Sequence, residues 1–208
     1  MQFLLNNWQT VLGRLGEHIG LTGAALGAAL LIALPLGWLL HRRRALAAVV
    51  LGVLGVVYTI PSIALIILLI PFFGLNARSV IVALILYCQV ILVRNVLAGL
   101  DAIDPAVIEA ARGMGMAPWQ VALRVQLPLA LPVILAGVRV AAVVAVAIAT
   151  IGARFGAGGL GVFLFDGIAQ AGRTDKIWIG GLSVALLALA ISRGLGLLER
   201  RLTPYRHF

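Results

Sequence analysis

The sequence predicts an all-α integral membrane domain of about five spans, in one piece from residue 1 to 208. Three observations predict it. The chain is 62% hydrophobic and 11% charged, where a soluble domain is about a quarter charged. Its mean hydropathy is +1.12. Apolar runs long enough to cross a hydrocarbon core of ~30 Å recur along it, with arginines gathered at their ends.

Taken in order, residues 1–19 mix Trp8, Arg14, Glu17 and His18 with apolar neighbours and read as an amphipathic lead-in helix. Glycines 13, 16, 20, 23 and 27 step by three and four, which predicts a packing face for another helix. The first span is 21–40. Arg42, Arg43 and Arg44 follow it and place that loop in the cytoplasm, so the N-terminus is expected outside. The second span, 45–73, is longer than one straight crossing needs, and Pro61 in its middle predicts a bend. The third is 79–100, the fourth 133–151 and the fifth 177–198. Arg139, near the start of the fourth, is expected to snorkel to the cytoplasmic surface. Residues 154–176 form an outer loop, and the tail 199–208 is cytoplasmic. Trp38 and Trp178 fall at predicted interfaces, as an aromatic belt does.

The net charge of +9 raises nucleic acid as a partner. The basic residues lie scattered in membrane-flanking loops, so positive-inside topology accounts for them and nucleic acid is set aside. Arg42, Arg43, Arg44, Arg112, Arg124, Arg200, Arg201 and Arg206 fall inside, against Arg14, Arg78, Arg154, Arg173 and Lys176 outside. The lone Cys88 has no partner for an internal disulfide. No signal peptide is expected, because the N-terminus lacks a basic segment and the first apolar run ends in arginines.

The long polar interruption is 101–128. Asp104 is a good N-cap with Pro105 at the first helical position. Val107, Ile108, Ala111 and Met114 share one face. Gly113 and Gly115 end this short helix, Pro118 opens a second, and Leu127-Pro128 closes it. Gly115 is expected either to have no room for a side chain or to need a positive φ. Within this stretch Glu109-Ala110-Ala111, three residues, Gly115, nine residues, and Val125-Gln126-Leu127-Pro128 follow one another. The pattern resembles the EAA signature of permease subunits of binding-protein-dependent ABC importers, which carry isoleucine where Val125 stands.

That resemblance implies a type I importer transmembrane domain in the bacterial inner membrane. It implies that Glu109, Ala110, Ala111, Gly115, Leu127 and Pro128 couple the chain to a cytoplasmic ATPase dimer. The expected partners are that ATPase, a second permease copy or paralogue, an extracytoplasmic solute-binding protein and membrane lipid. ATP and Mg would sit in the ATPase, with no cofactor on this chain, which would therefore not be an enzyme. The mechanism implied is alternating access. Gly156-Ala157-Gly158-Gly159-Leu160-Gly161, soon after the signature, looks like the branch carrying glycine betaine, choline or carnitine. The methionine branch looks similar, and a passive channel or secondary carrier is the alternative from another class.

Other chemistry finds little support. Gly156, Gly158, Gly159 and Gly161 match G-x-G-x-x-G formally, but a long apolar helix precedes them where a dinucleotide site needs a strand. A flexible loop is the plainer expectation. The only lysine, Lys176, is followed by Ile177, so there is no P-loop. His18, His41 and His207 lack metal-ligand spacing and read as interfacial or solvated. On this topology no carboxylate lies mid-membrane, which disfavours an ion-coupled carrier. Trp119 either anchors the second short helix on the ATPase or packs against that helix, and both readings stay open.

The candidate solute path is Tyr58, Thr59 and Ser62 around the Pro61 break, with Tyr87, Gln89 and Asn95 on the third span. Buried polar groups need partners, so these face protein or water rather than lipid. Thr59 and Ser62 could equally re-satisfy the backbone freed by Pro61, and the others could bond between helices. A tyrosine face offers a quaternary ammonium a contact of ~0.5–2 kcal/mol. In a Cys88→Ser background, a cysteine at Ala117 is expected to label only from the cytoplasm and one at Ala157 only from outside. Labelling of both from one side breaks the five-span topology.

Overall fold

The computed structural model of the protein describes residues 7–170 and 172–202, which form helices and turns with no strand. Helix α1, Trp8–His41, runs unbroken for 34 residues. At 1.5 Å per residue that is about 51 Å, well beyond a hydrocarbon core. The lead-in and the first span are therefore one helix.

Helices α2 (Arg44–Thr59) and α3 (Ser62–Phe73) replace the second span, and their axes meet at 99°. The predicted bend is a corner. Ile60 and Pro61 are extended, with ψ 126 and 137, and Pro61 has no N–H to continue the ladder. The groups freed at the corner find partners. Thr59 Oγ1 donates to the Val56 carbonyl at 2.7 Å, Ile60 N donates to Val57 O at 3.2 Å, and the Tyr87 hydroxyl donates to Ile60 O. Hydrocarbon supplies no water to do this, so a broken helix at that depth needs such partners.

Helix α4, Ala77–Asp101, is the centre of the bundle. Asn76 caps it, accepting from Arg78 N at 2.8 Å. Val80, Ala83, Leu84, Cys88 and Val93 are fully buried on it. It lies between α1 and α7 (Leu127–Gly152), and glycines make the close crossings. A Cβ on Gly37 of α1 would stand 2.7 Å from Val96 Cβ, and one on Gly99 2.9 Å from the Ala130 carbonyl oxygen. The stripe of glycines 13, 16, 20, 23 and 27 does none of this. A Cβ on any of them meets nothing within 4 Å, so this stripe is not a packing face within the chain. Gly23 and Gly27 instead line an open apolar cleft of about 720 Å³ against α7 and Leu195 and Leu198.

The polar interruption holds α5 (Pro105–Gly113), α6 (Pro118–Val121) and a π-helical turn (Ala122–Gln126). That turn leads straight into α7, so Leu127-Pro128 opens the next helix rather than closing the short one. The proline ring would clash with the carbonyl four residues back in a regular α-helix. The wider turn, in which Leu127 N bonds Ala122 O, relieves that crowding.

A 3-10 turn (Ala153–Phe155) leads from α7 to the glycine loop. The outer loop then contains a nine-residue helix, α8 (Gly161–Ala169), packed on α9 (Thr174–Leu202). Gly180 and Gly167 make that contact close, facing Leu164 and Ile177. Arg139 does not simply reach for the surface. Its Nη1 lies 3.6 Å from Oε2 of Glu199, whose side chain is only 4% exposed, so α9 continues past the end expected for the fifth span and clamps α7.

The two ends of the bundle are distinct. His41 Nδ1 lies 2.8 Å from Asp101 Oδ1, and Arg42 and Arg112 line one small cleft, so the arginine loop and the 101–128 segment share an end. At the other end Gly156 approaches the Leu75 carbonyl between α3 and α4. The corner of α2 and α3 therefore carries the chain from one end to the other once, as expected for a single span over 45–73. Ala157 is half-buried there while Arg154 is exposed, so Arg154 is the more accessible position for a labelling cysteine. Gly99→Val is expected to cost about 1–3 kcal/mol through overpacking against Ala130. Gly20→Ala is expected to stay within about 0.5 kcal/mol. Thermal denaturation in detergent compares them, and equal loss would contradict the crossing described.

Candidate functional site

The 101–128 segment is built from its ends inward. Asp104 Oδ1 accepts from Ala106 N at 2.9 Å, and Pro105 occupies the first turn of α5. The helix stops in a two-bond lock: Met116 N donates to Ala111 O at 3.3 Å and Gly115 N to Arg112 O at 2.9 Å. This Schellman arrangement needs a left-handed residue, and Gly115 has φ +82. A Cβ on Gly115 would meet nothing within 4 Å. Of the two reasons offered for this glycine, the positive φ holds and the lack of room does not. Helix α6 then starts at Pro118, and Gln120 Oε1 accepts from Ala117 N at 2.8 Å.

The expected coupling residues divide by position. Ala111 is 2% exposed and seats α5 on the bundle, while Glu109 and Ala110 face outward. Leu127 and Pro128 belong to the first turn of α7, beyond the π turn. The predicted apolar face of α5 is only partly covered. Ile108 is half-buried, but Val107 is 42% and Met114 77% exposed, and Trp119 and Leu123 are also exposed. Trp119 is 59% exposed, which leaves more than half of its surface open to a partner. Exposed apolar side chains beside Glu109, Arg112 and Arg124 form a surface suited to a protein partner.

The candidate path residues also divide. Tyr58 is exposed and its ring meets that of Tyr87 edge-on, 5.5 Å between centroids. Thr59 is exposed and Ser62 half-buried at the corner. Tyr87 is 6% exposed and tied to the Ile60 carbonyl, so its hydroxyl has a structural bond. Gln89 and Asn95 lie within the helix packing. Gln89 Nε2 donates to Ala29 O at 3.1 Å, with Oε1 buried and unpartnered. Asn95 Nδ2 donates to Ile91 O at 2.8 Å, and its side chain fills the space over Gly137.

The glycine loop is held rather than loose. Gly156, Gly158 and Gly159 all have positive φ, and Gly161 begins α8. Gly159 N donates to Glu17 Oε2 at 2.8 Å, and Leu160 N donates to His18 Nδ1 at 3.3 Å. His18 Nε2 reaches Val146 O at 3.2 Å, so the ring carries its proton on Nε2. Arg14 pairs with Glu17 at 2.8 Å. His18 is fully buried, which corrects the solvated histidine expected, and His41 bonds Asp101. His207 lies outside the described residues. Glu17 and His18 were missed as loop anchors because their partners are 142 residues away. No group of three or more metal-ligating side chains occurs among the described residues.

Residues 26–204 match the family described as binding-protein-dependent transport system inner membrane component. Over 202 residues the chain is 39% identical to the carnitine transport permease protein OpuCB of Listeria monocytogenes, covering 97% of this chain and 92% of that one. It is 33% identical to the glycine betaine/carnitine/choline transport system permease protein OpuCB of Bacillus subtilis (strain 168), covering 98% and 94%. The fold is similar to an inward-facing form of the MetNI methionine ABC transporter, with TM-score 0.84, 24% identity, and coverage of 93% and 96%.

Gly115→Asn is expected to keep the α5–α6 turn, since asparagine tolerates the left-handed region and the space is open. Gly115→Val is expected to lose about 1–2 kcal/mol locally. Limited proteolysis of 101–128 in detergent measures this, and equal resistance of the two variants would remove φ as the reason.

Proposed function

Because the chain belongs to the family of binding-protein-dependent transport system inner membrane components, we propose that it forms the membrane path of an ATP-driven importer for quaternary-amine osmoprotectants. The solute class is glycine betaine, choline or carnitine, in keeping with the relatives that match nearly its whole length. The chain is a permease subunit and not an enzyme. ATP and Mg belong to a partner ATPase dimer on the cytoplasmic side. An extracytoplasmic binding protein delivers the solute, and a second permease copy or paralogue completes the path.

One observation carries this reading beyond family membership. At the arginine end, a rigid helical turn presents Glu109 and the exposed Val107, Met114 and Trp119 away from the bundle. Positive-inside topology makes that end cytoplasmic. Through the π turn the same segment is continuous with α7, and α7 packs on α4 along most of its length. A push on α5 and α6 from a closing ATPase therefore reaches the centre of the bundle through packed helix, without a flexible joint. Alternating access follows if that push turns α4 and α7 relative to a second permease. A channel or secondary carrier has no use for such a surface. The likeness to the methionine transporter bears on the fold alone.

Purified permease reconstituted in liposomes is expected to take up labelled glycine betaine, carnitine or choline only with its ATPase, binding protein and ATP. Glu109→Lys is expected to reduce uptake and co-purification of the ATPase at least tenfold while membrane insertion persists. Uptake without ATP, or undisturbed coupling in Glu109→Lys, would reject the reading.

A further inference from the structure

Arg94 stands on α4 about 10 Å from its Asp101 end, which lies beside the arginine loop, and so inside the span. It is exposed and makes no hydrogen bond or ion pair with any described residue. An arginine at that depth is costly and faces protein or a wet cavity rather than lipid. Side chains on a helix lean toward its N-terminus, which for α4 is the glycine-loop end. Arg94 obeys: its Nη2 lies 4.0 Å from the place a Cβ on Gly55 would take. Gly55 is eleven residues into α2 from Arg44, about 16 Å along the helix. The guanidinium therefore sits well inside the span, about three turns of α2 from its Arg44 end.

What surrounds it is informative. Tyr58 follows Gly55 by three residues, one turn on along α2, and Tyr87 precedes Arg94 by seven, two turns on the same face of α4. The edge-on Tyr58–Tyr87 pair thus lies about one turn beyond the guanidinium, roughly 5 Å along α2. On the other side a cleft of about 390 Å³ runs from Arg94 past Leu51 and Ala47 to Arg44, His41 and Asp101 at the cytoplasmic end, where Asp101 is held by His41. The described carboxylates of the chain, Glu17, Asp101, Asp104, Glu109, Asp166, Asp175 and Glu199, lie at or near the ends of the bundle.

We propose that Arg94 and the exposed face of Tyr58 form a transient solute site for a zwitterion, a quaternary ammonium joined to a carboxylate by a short chain. The guanidinium takes the carboxylate in a forked pair of hydrogen bonds. The tyrosine face takes the methylated ammonium, which has no N–H to donate. Tyr87, with its hydroxyl bound to Ile60, holds Tyr58 in place. The site deepens the osmoprotectant reading and rests on it, and it makes the permease itself discriminate between betaines and the corresponding alcohol.

The test uses the full complex of permease, ATPase and binding protein in liposomes, with glycine betaine and carnitine as carboxylate probes and choline as the alcohol. Rates for each variant are taken relative to wild type for the same probe, so selection by the binding protein cancels. Arg94→Gln is expected to lower the rate for the carboxylate probes at least tenfold more than for choline. Arg94→Lys, which keeps the charge and loses the fork, is expected to recover part of the loss, falling between Arg94→Gln and wild type for the carboxylate probes. Assembly of each variant is checked by co-purification of the ATPase. Equal loss for all three probes, or no loss for the carboxylates, overturns the proposal and leaves the importer reading intact, as does a wild type that carries choline alone. If wild type carries no choline, rescue by lysine decides, and its failure overturns the site. A wild type that moves none of the three overturns the solute class, and the site with it.

Discussion

A backbone group in hydrocarbon has no water to turn to, and the break inside the second span is arranged around that constraint. The corner between α2 and α3 is that break. A proline removes one donor there, and three side-chain and main-chain bonds replace what is lost. The bond from Tyr87 matters most, because it fixes the corner to the central helix as well as satisfying Ile60. Without it the exposed Tyr58 would have no fixed neighbour.

The central helix is reached by its neighbours through missing side chains. Gly37, Gly99, Gly137 and Gly152 let α1 and α7 approach α4 closely enough for dispersion contacts to hold them. Hydrophobic burial cannot do this in lipid, since lipid tails are as apolar as leucine. The polar groups placed inside that packing, Gln89 and Asn95, bond to nearby carbonyls. Close packing covers most of α4, while Arg94 on its other side is exposed toward α2, which carries Tyr58.

At the glycine-loop end, order comes from charge and hydrogen bonding. Glu17 and His18 on α1 accept from consecutive N–H groups of a loop whose glycines have turned them inward. At the opposite end, order comes from backbone geometry. The cap at Asp104, the left-handed Gly115 and the π turn before Pro128 order the 101–128 segment. Its apolar residues Val107, Met114 and Trp119 are only partly covered by the chain itself.

Much of this was legible in the sequence. Hydropathy and arginine placement give the number of crossings, because insertion depends on length and charge summed over a segment. Asp104, Pro105 and Gly115 announce α5, since caps and positive-φ turns are local chemistry. The glycine stripe in α1 misled because spacing shows which residues share a face and says nothing about what lies opposite. The 99° corner, the continuity of α6 with α7, and helix α8 in the outer loop came from packing. Pro61 and Pro128 look alike in sequence, yet one breaks a helix and the other begins one. The burial of His18, the anchoring of the glycine loop and the pairing of Arg139 with Glu199 join residues far apart in the chain. Only the tertiary structure decides such pairs, because their energy depends on distances that no local pattern contains.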